Sequence, residues 1–152
     1  MDGKARQGRG ATTMRRANQS RQDFLRDAAD ILQREWREYH LLKSCPVFFN
    51  ITNFHLYNAT HGFRQGDLCL QHIEGILQDV FPERPVIHLG ADNFAVLAEE
   101  ANVQARIDKA CQRVQAYIGN PNIALKAGIR FLSGPRSLKD LNVAFDSEAK
   151  IA

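Results

Sequence analysis

The run Val47-Phe48-Phe49-Asn50-Ile51 constrains this chain more than any other stretch. It is almost wholly apolar and is opened by Pro46, the pattern of a strand covered on both faces. Such a strand needs sheet neighbours beside it and helices above and below. The chain supplies both. Leu89-Gly90-Ala91-Asp92-Asn93-Phe94-Ala95-Val96-Leu97 reads as a strand, a tight turn carrying an acid, and a second strand. Val86–Leu89 and Phe94–Ala98 therefore form a hairpin.

Helical periodicity appears on either side of these strands. Leu25, Ala28, Ala29, Leu32, Trp36 and Tyr39 share a face of a first helix, with Ser20 as its cap and Trp36 as its anchor on the sheet. A short polar helix is expected around Asn53–Thr60, then a turn from Gly62 to Gly66. A helix from Asp67 to about Val80 follows, with Leu70, Ile73, Leu77 and Val80 on its apolar side. Pro82 and Pro85 punctuate its exit. Val103, Ile107, Ala110, Cys111, Val114 and Ile118 predict a further amphipathic helix, stopped by Gly119-Asn120-Pro121. Ile123–Leu132 reads as another strand and Ser137–Lys150 as a last helix, reached through Ser133-Gly134-Pro135. The order implies an α/β fold (an α+β sandwich) with a central, mainly antiparallel sheet flanked by helices.

Charge divides the chain unevenly. Lys4, Arg6, Arg9, Arg15, Arg16 and Arg21 against Asp2 put +5 on residues 1–22, whereas the whole chain carries +3. The remainder is thus slightly acidic, which argues against a nucleic-acid-binding face. Residues 1–19 read as a basic flexible linker and residues 20–152 as one domain, long enough to bury a core. Cys45, Cys69 and Cys111 form no CxxC pair and fit buried thiols in a reducing compartment. No apolar run reaches the ~20 residues of a membrane span, so no membrane insertion by this segment is expected. The Asn50-Ile51-Thr52 and Asn58-Ala59-Thr60 sequons lack a secretory context. The expected location is the cytoplasm, alone or as the cytoplasmic part of a larger protein.

The turn Gly90-Ala91-Asp92-Asn93-Phe94, together with Asn50-Ile51-Thr52-Asn53-Phe54 and the series Asn58, Gly62, Gly66-Asp67, resembles the GGDEF family of cyclic-di-GMP signalling domains. Its members carry an Asp-x-Asp-x-Phe-Lys run, an Asn-Asp pair, Gly-His and Gly-Asp, and then the signature hairpin. The likeness extends from about residue 24 to the end of the chain. The resemblance implies a nucleotide-cyclase palm-like fold in which two domains, each holding one GTP, meet face to face. Phosphoryl-type transfer of this sort depends on positioning and on divalent metal held by anionic oxygen.

Carried onto this chain, that chemistry is incomplete. The resemblance puts Asn50 where the first metal-binding Asp belongs, leaving Asp92 and the Ile51 backbone carbonyl as candidate ligands. Asn93 stands where an acid helps activate the attacking hydroxyl, and an amide cannot take that proton. Ala91 replaces the second glycine of the signature, while Thr52, His55, Ala59, Phe63 and His88 are further departures. The parts implied to bind nucleotide are better kept: Asn58 and Asp67 for guanine, Lys150 for phosphate, with Phe54 and Leu70 at their family positions. The product-inhibition motif would fall on Phe81-Pro82-Glu83-Arg84, where it is absent.

The expected function is a catalytically inactive GTP-binding regulatory or dimerisation module, with magnesium arriving alongside GTP. Expected partners are a neighbouring EAL phosphodiesterase or sensor domain in the same polypeptide and a second copy of the domain. An active diguanylate cyclase and a docking module without nucleotide are the alternatives.

Overall fold

The computed structural model describes residues 21–130. In chain order these form α1 (Arg21–Tyr39), β1 (Ser44–Thr52), α2 (Phe54–His61), α3 (Phe63–Val80), β2 (Val86–Gly90), β3 (Asn93–Glu99), a 3-10 turn (Glu100–Asn102), α4 (Val103–Ile118) and β4 (Ala124–Ile129). The basic arm at residues 1–19, the capping role of Ser20, the expected last helix and Lys150 all lie outside the described residues.

The strands make one antiparallel sheet in the order β2-β3-β1-β4. The apolar run at Val47–Ile51 is an inner strand between β3 and β4, as its composition requires. Alternation then sorts its residues between two cores. Cys45, Val47, Phe49 and Ile51 face α2, α3 and α4, joining Phe94, Val96, Ile73, Leu77, Ile107 and Val114. Phe48 faces the other way, with Ala95, Leu97 and Ile87, onto Phe24, Ala28 and Leu32 of α1. Full burial of each large side chain here is worth ~1.5–3 kcal/mol. The sheet thus has a broad helical layer on one face and α1 on the other.

Two expectations about the helices are corrected. The stripe of α1 that meets the sheet is Phe24, Ala28, Leu32 and Glu35, while Trp36 and Tyr39 are 37% and 50% exposed. Trp36 keeps helical phase with Leu32 but lies outside the buried stripe, so Phe24 and Leu32, not Trp36, anchor the helix. The second concerns α3, which begins at Phe63 rather than Asp67. Gly62, at φ +87°, redirects the chain between α2 and α3, and Gly66 N–H already donates to Gly62 C=O at 3.0 Å. What reads as a glycine-bounded turn is therefore the first turn of a helix.

A buried polar network closes the end of β1 remote from the signature hairpin. The Glu35 carboxylate accepts from the backbone N–H groups of Lys43 and Ser44, at 3.1 and 3.0 Å, and from the Ser44 hydroxyl at 2.7 Å. Ser44 Oγ in turn accepts from Arg84 Nη2 at 2.5 Å, and Arg84 Nε donates to Leu97 C=O at 2.8 Å. Glu35 and Ser44 are both buried, so their satisfaction by one another is what makes burial tolerable. Burial lowers the Arg84 guanidinium pKa, opposed by the nearby Glu35 and Glu99 carboxylates.

Candidate functional site

The end of β1 and the β2–β3 turn come together through strand register. Asn50 lies opposite Asn93, and Ile51 N–H donates to Asp92 C=O at 3.1 Å. The turn is irregular: pairing shifts between His88 and Gly90, Gly90 has φ +133° and Ala91 has φ +47°. A left-handed backbone at alanine brings Cβ toward its own carbonyl and is strained. His88 fastens this turn. Its Nε2 lies 2.6 Å from Ala91 C=O and must donate to it, while its ring stacks on Phe94 with centroids 4.6 Å apart.

Asn50 Nδ2 lies 3.2 Å from Asp92 Oδ2 and 3.0 Å from Asn93 Oδ1. A carboxylate can only accept, so the edge that Asn50 turns to Asp92 is its N–H edge. Asn50, Asp92 and Asn93 are thus brought together, and the amide supplies the partial positive charge between two oxygens. This arrangement does not fit a resident magnesium ion, which seeks several hard oxygen ligands. Asp92 is the single carboxylate at the turn, and a donor faces it where a second ligand oxygen would belong. Among the described residues no three His, Cys, Asp or Glu side chains are grouped to hold a metal.

The segment joining β1 to α2 is clamped to the start of β4. Thr52 Oγ1 donates to Ala124 C=O at 3.1 Å, and Asn53, itself at φ +58°, donates from Nδ2 to Asn122 C=O at 2.8 Å. Phe54 follows as the first residue of α2 and is buried, its ring stacked on Tyr57 at a centroid distance of 5.6 Å. Leu70 is likewise buried, in the core shared by α3 and the sheet.

Asn58 and Asp67 lie on the two helices that flank the α2–α3 junction. Asn58 lies inside α2, and its side chain occupies the space where a Cβ on Gly66 would stand. Glycine at position 66 is therefore demanded by Asn58, not by backbone angle. The Asn58 Oδ1 atom is buried and finds no hydrogen-bond partner among the described residues. An orphaned acceptor costs about 1–3 kcal/mol, and this one is turned toward Gly66. Asp67, one residue beyond Gly66, is exposed and sits in the second turn of α3. Dipole compensation fades beyond the first turn, which weakens capping as its explanation.

Two further groups escape a reading of the sequence alone. Lys126 stands opposite Asn50 on β4, on the side away from Asn93. Its alternation with Gly128 and Arg130 was the available signal for one basic face. Glu74 on α3 is buried, and desolvation raises its carboxyl pKa above the ordinary value; its place amid an apolar stripe was the clue. Burial also raises the three thiols, Cys45 to about 11, so none is poised as a nucleophile. No helix among the described residues is long and apolar enough to cross a membrane.

Comparison with known proteins agrees with this geometry. The GGDEF domain of DgcB from Caulobacter crescentus, solved with its coiled coil and cyclic-di-GMP, superposes with TM-score 0.64 at 16% identity, covering 98% of this chain and 90% of that one. The FimX GGDEF domain from Pseudomonas aeruginosa gives 0.63 at 18% identity, covering 87% and 89%. A diguanylate cyclase/phosphodiesterase from Caldicellulosiruptor saccharolyticus gives 0.59 at 17% identity, covering 82% and 80%. At these identities the likeness establishes the fold. No match among curated proteins accompanies it. The sequence model of the family described as diguanylate cyclase, GGDEF domain, matches residues 17–141. That match spans most of the sequence, and the chain belongs to the GGDEF family of cyclic-di-GMP signalling domains.

Proposed function

We propose that this domain binds GTP and transmits its occupancy to a neighbouring domain without converting it to cyclic-di-GMP. The observation that carries the reading is the Asn50 amide, which donates to both Asp92 and Asn93 where metal-binding and base functions would otherwise lie. Neither amide can accept a proton near neutral pH, so hydroxyl activation has no general base at this turn. Any magnesium is carried in on the triphosphate, with Asp92 and the Ile51 carbonyl as its available protein oxygens.

Recognition is supported by the α2–α3 junction. Guanine presents N1–H and N2–H donors along one edge. The Asp67 carboxylate accepts from both, and Asn58, whose side chain packs against the neighbouring Gly66, is the second residue assigned to the base. Adenine offers no matching pair of donors, so discrimination follows from leaving acceptors unmet. Phe54 and Leu70 hold the α2 and α3 backbones in place from within the core, and Lys150 is the residue assigned to phosphate.

The partner in this reading is a phosphodiesterase or sensor domain in the same cytoplasmic polypeptide, an arrangement also suggested by the paired name of the Caldicellulosiruptor relative. A second copy of the domain is an additional partner. The test is restoration. Asn50→Asp, Ala91→Gly and Asn93→Glu together are expected to yield cyclic-di-GMP from GTP with magnesium, whereas the natural chain yields none. Product from the natural chain would overturn the proposal.

A further inference from the structure

We infer that Phe63 is a stacking platform for the guanine base, set beside the carboxylate of Asp67. The inference rests on the nucleotide reading above and adds a positioning residue to it. Phe63 opens α3 and is 77% exposed, more than any other large apolar side chain among the described residues. A phenyl ring so placed forgoes most of the stabilisation that burial brings. The other phenyl and phenol rings of α2 and α3 pair with each other, Phe54 stacking on Tyr57 with centroids 5.6 Å apart. His72 of α3 likewise stacks on Tyr117 of α4, at 3.8 Å. Phe63 makes no ring contact among the described residues, and a Cβ built on Gly62 beside it would meet nothing within 4 Å. Its ring face is open to a ligand.

Helix geometry joins this ring to the residues that read the base. Positions 63 and 67 lie one turn apart, about 40° from one another around the axis, and share one face of α3. Helical side chains lean back toward the N-terminus, so the Asp67 carboxylate lies over the turn that Phe63 begins. Gly66 falls about 60° to the other side of Phe63, and the Asn58 side chain packs there. The ring thus points between the directions of Asp67 and Asn58. Phe63 and Asp67 are both exposed, so a planar ligand reaches them without displacing the core.

The two side chains then have different tasks. Asp67 accepts from the N1–H and N2–H edge and separates guanine from adenine. Phe63 meets the π-face, which every purine has, and supplies affinity without discrimination.

The experiment is calorimetric titration of GTP and of GMP, with magnesium, into the full chain. It uses the natural sequence, Phe63→Leu and Phe63→Trp. Leucine keeps apolar bulk and helix propensity but has no π-face. The position is exposed and tolerates either change; melting curves check the fold. Phe63→Leu is expected to bind both nucleotides about tenfold or more weakly than the natural chain, by the same factor. Phe63→Trp is expected to bind at least as tightly as the natural chain. Guanine should also quench its new indole emission, beyond any change from Trp36, the single tryptophan of the natural chain. Equal binding by Phe63→Leu and the natural chain overturns the inference and leaves the nucleotide reading standing. So does a Phe63→Trp variant that binds as weakly as Phe63→Leu and shows no quenching. A loss confined to GTP also overturns it, because the ring would then act on phosphate and not on the base. No binding by the natural chain overturns both.

Discussion

Asn50 holds Asp92 through a 3.2 Å hydrogen bond from its amide nitrogen, and the same nitrogen reaches Asn93 at 3.0 Å. The pair makes the signature turn self-sufficient, because the charge opposing the carboxylate comes from a side-chain amide. Asn50→Asp reverses that relationship. With two carboxylates facing each other, the variant is expected to lose about 1–2 kcal/mol of stability in EDTA. Magnesium should restore most of it, since two anionic ligands now converge. Thermal melts of both proteins with and without magnesium check this; a variant indifferent to the metal would contradict it.

Ala91 bears a left-handed backbone, φ +47°, that glycine adopts freely. Ala91→Gly relieves a penalty of ~1–2 kcal/mol and loses part of it to greater freedom in the unfolded chain. A net gain of about 0.5–1 kcal/mol is expected in urea unfolding.

Gly66 gives its space to the Asn58 side chain. Gly66→Ala leaves the helix intact, since alanine favours it, but forces the Asn58 amide from its position. GTP affinity is expected to fall about tenfold or more while the midpoint of unfolding barely moves. Equal GTP binding by variant and parent would remove Asn58 from the nucleotide site.

Glu74 gives a pH signature. Its folded pKa is raised by burial, so between the ordinary carboxyl value and the raised one the folded state holds more protons than the unfolded state. Stability therefore falls as pH rises through that window, and the full cost of burying charge applies above it. Glu74→Gln removes the slope. The variant is expected to gain stability over the parent at neutral pH, and to lose that advantage near the ordinary carboxyl pKa. Melting temperatures across this pH range measure it.

Ser44 joins Glu35 to Arg84 through a single hydroxyl. Ser44→Ala leaves both charged groups without their shared partner and is expected to cost about 1.5–3 kcal/mol in chemical denaturation. A loss well under 1 kcal/mol would show that water replaces the hydroxyl freely.

Most of the fold was legible because periodicity reports it directly. The apolar run at Val47–Ile51 announced an inner strand, the Gly90 turn a hairpin, and Gly119 the end of α4, where it adopts φ +74°. Periodicity failed where flanking faces are mixed. Trp36 is large and in phase with the stripe of α1, yet the helix turns Phe24 and Leu32 inward instead. Gly62 and Gly66 look alike in sequence, but one redirects the backbone and the other makes room for a side chain. Of the candidate site, the nearness of Asn50 to Asp92 and Asn93 followed from the hairpin once the family likeness was noticed. The N–H edge that Asn50 presents, and the approach of Lys126 from the far side, depend on register across three strands. No short stretch of sequence contains that register.

The most direct test is calorimetric titration of GTP, with ATP as control, into the intact chain with and without magnesium, followed by chromatography of the same samples for cyclic-di-GMP. GTP binding in preference to ATP, with no product formed, is the predicted result. Equal indifference to both nucleotides, or any cyclic-di-GMP, would contradict it.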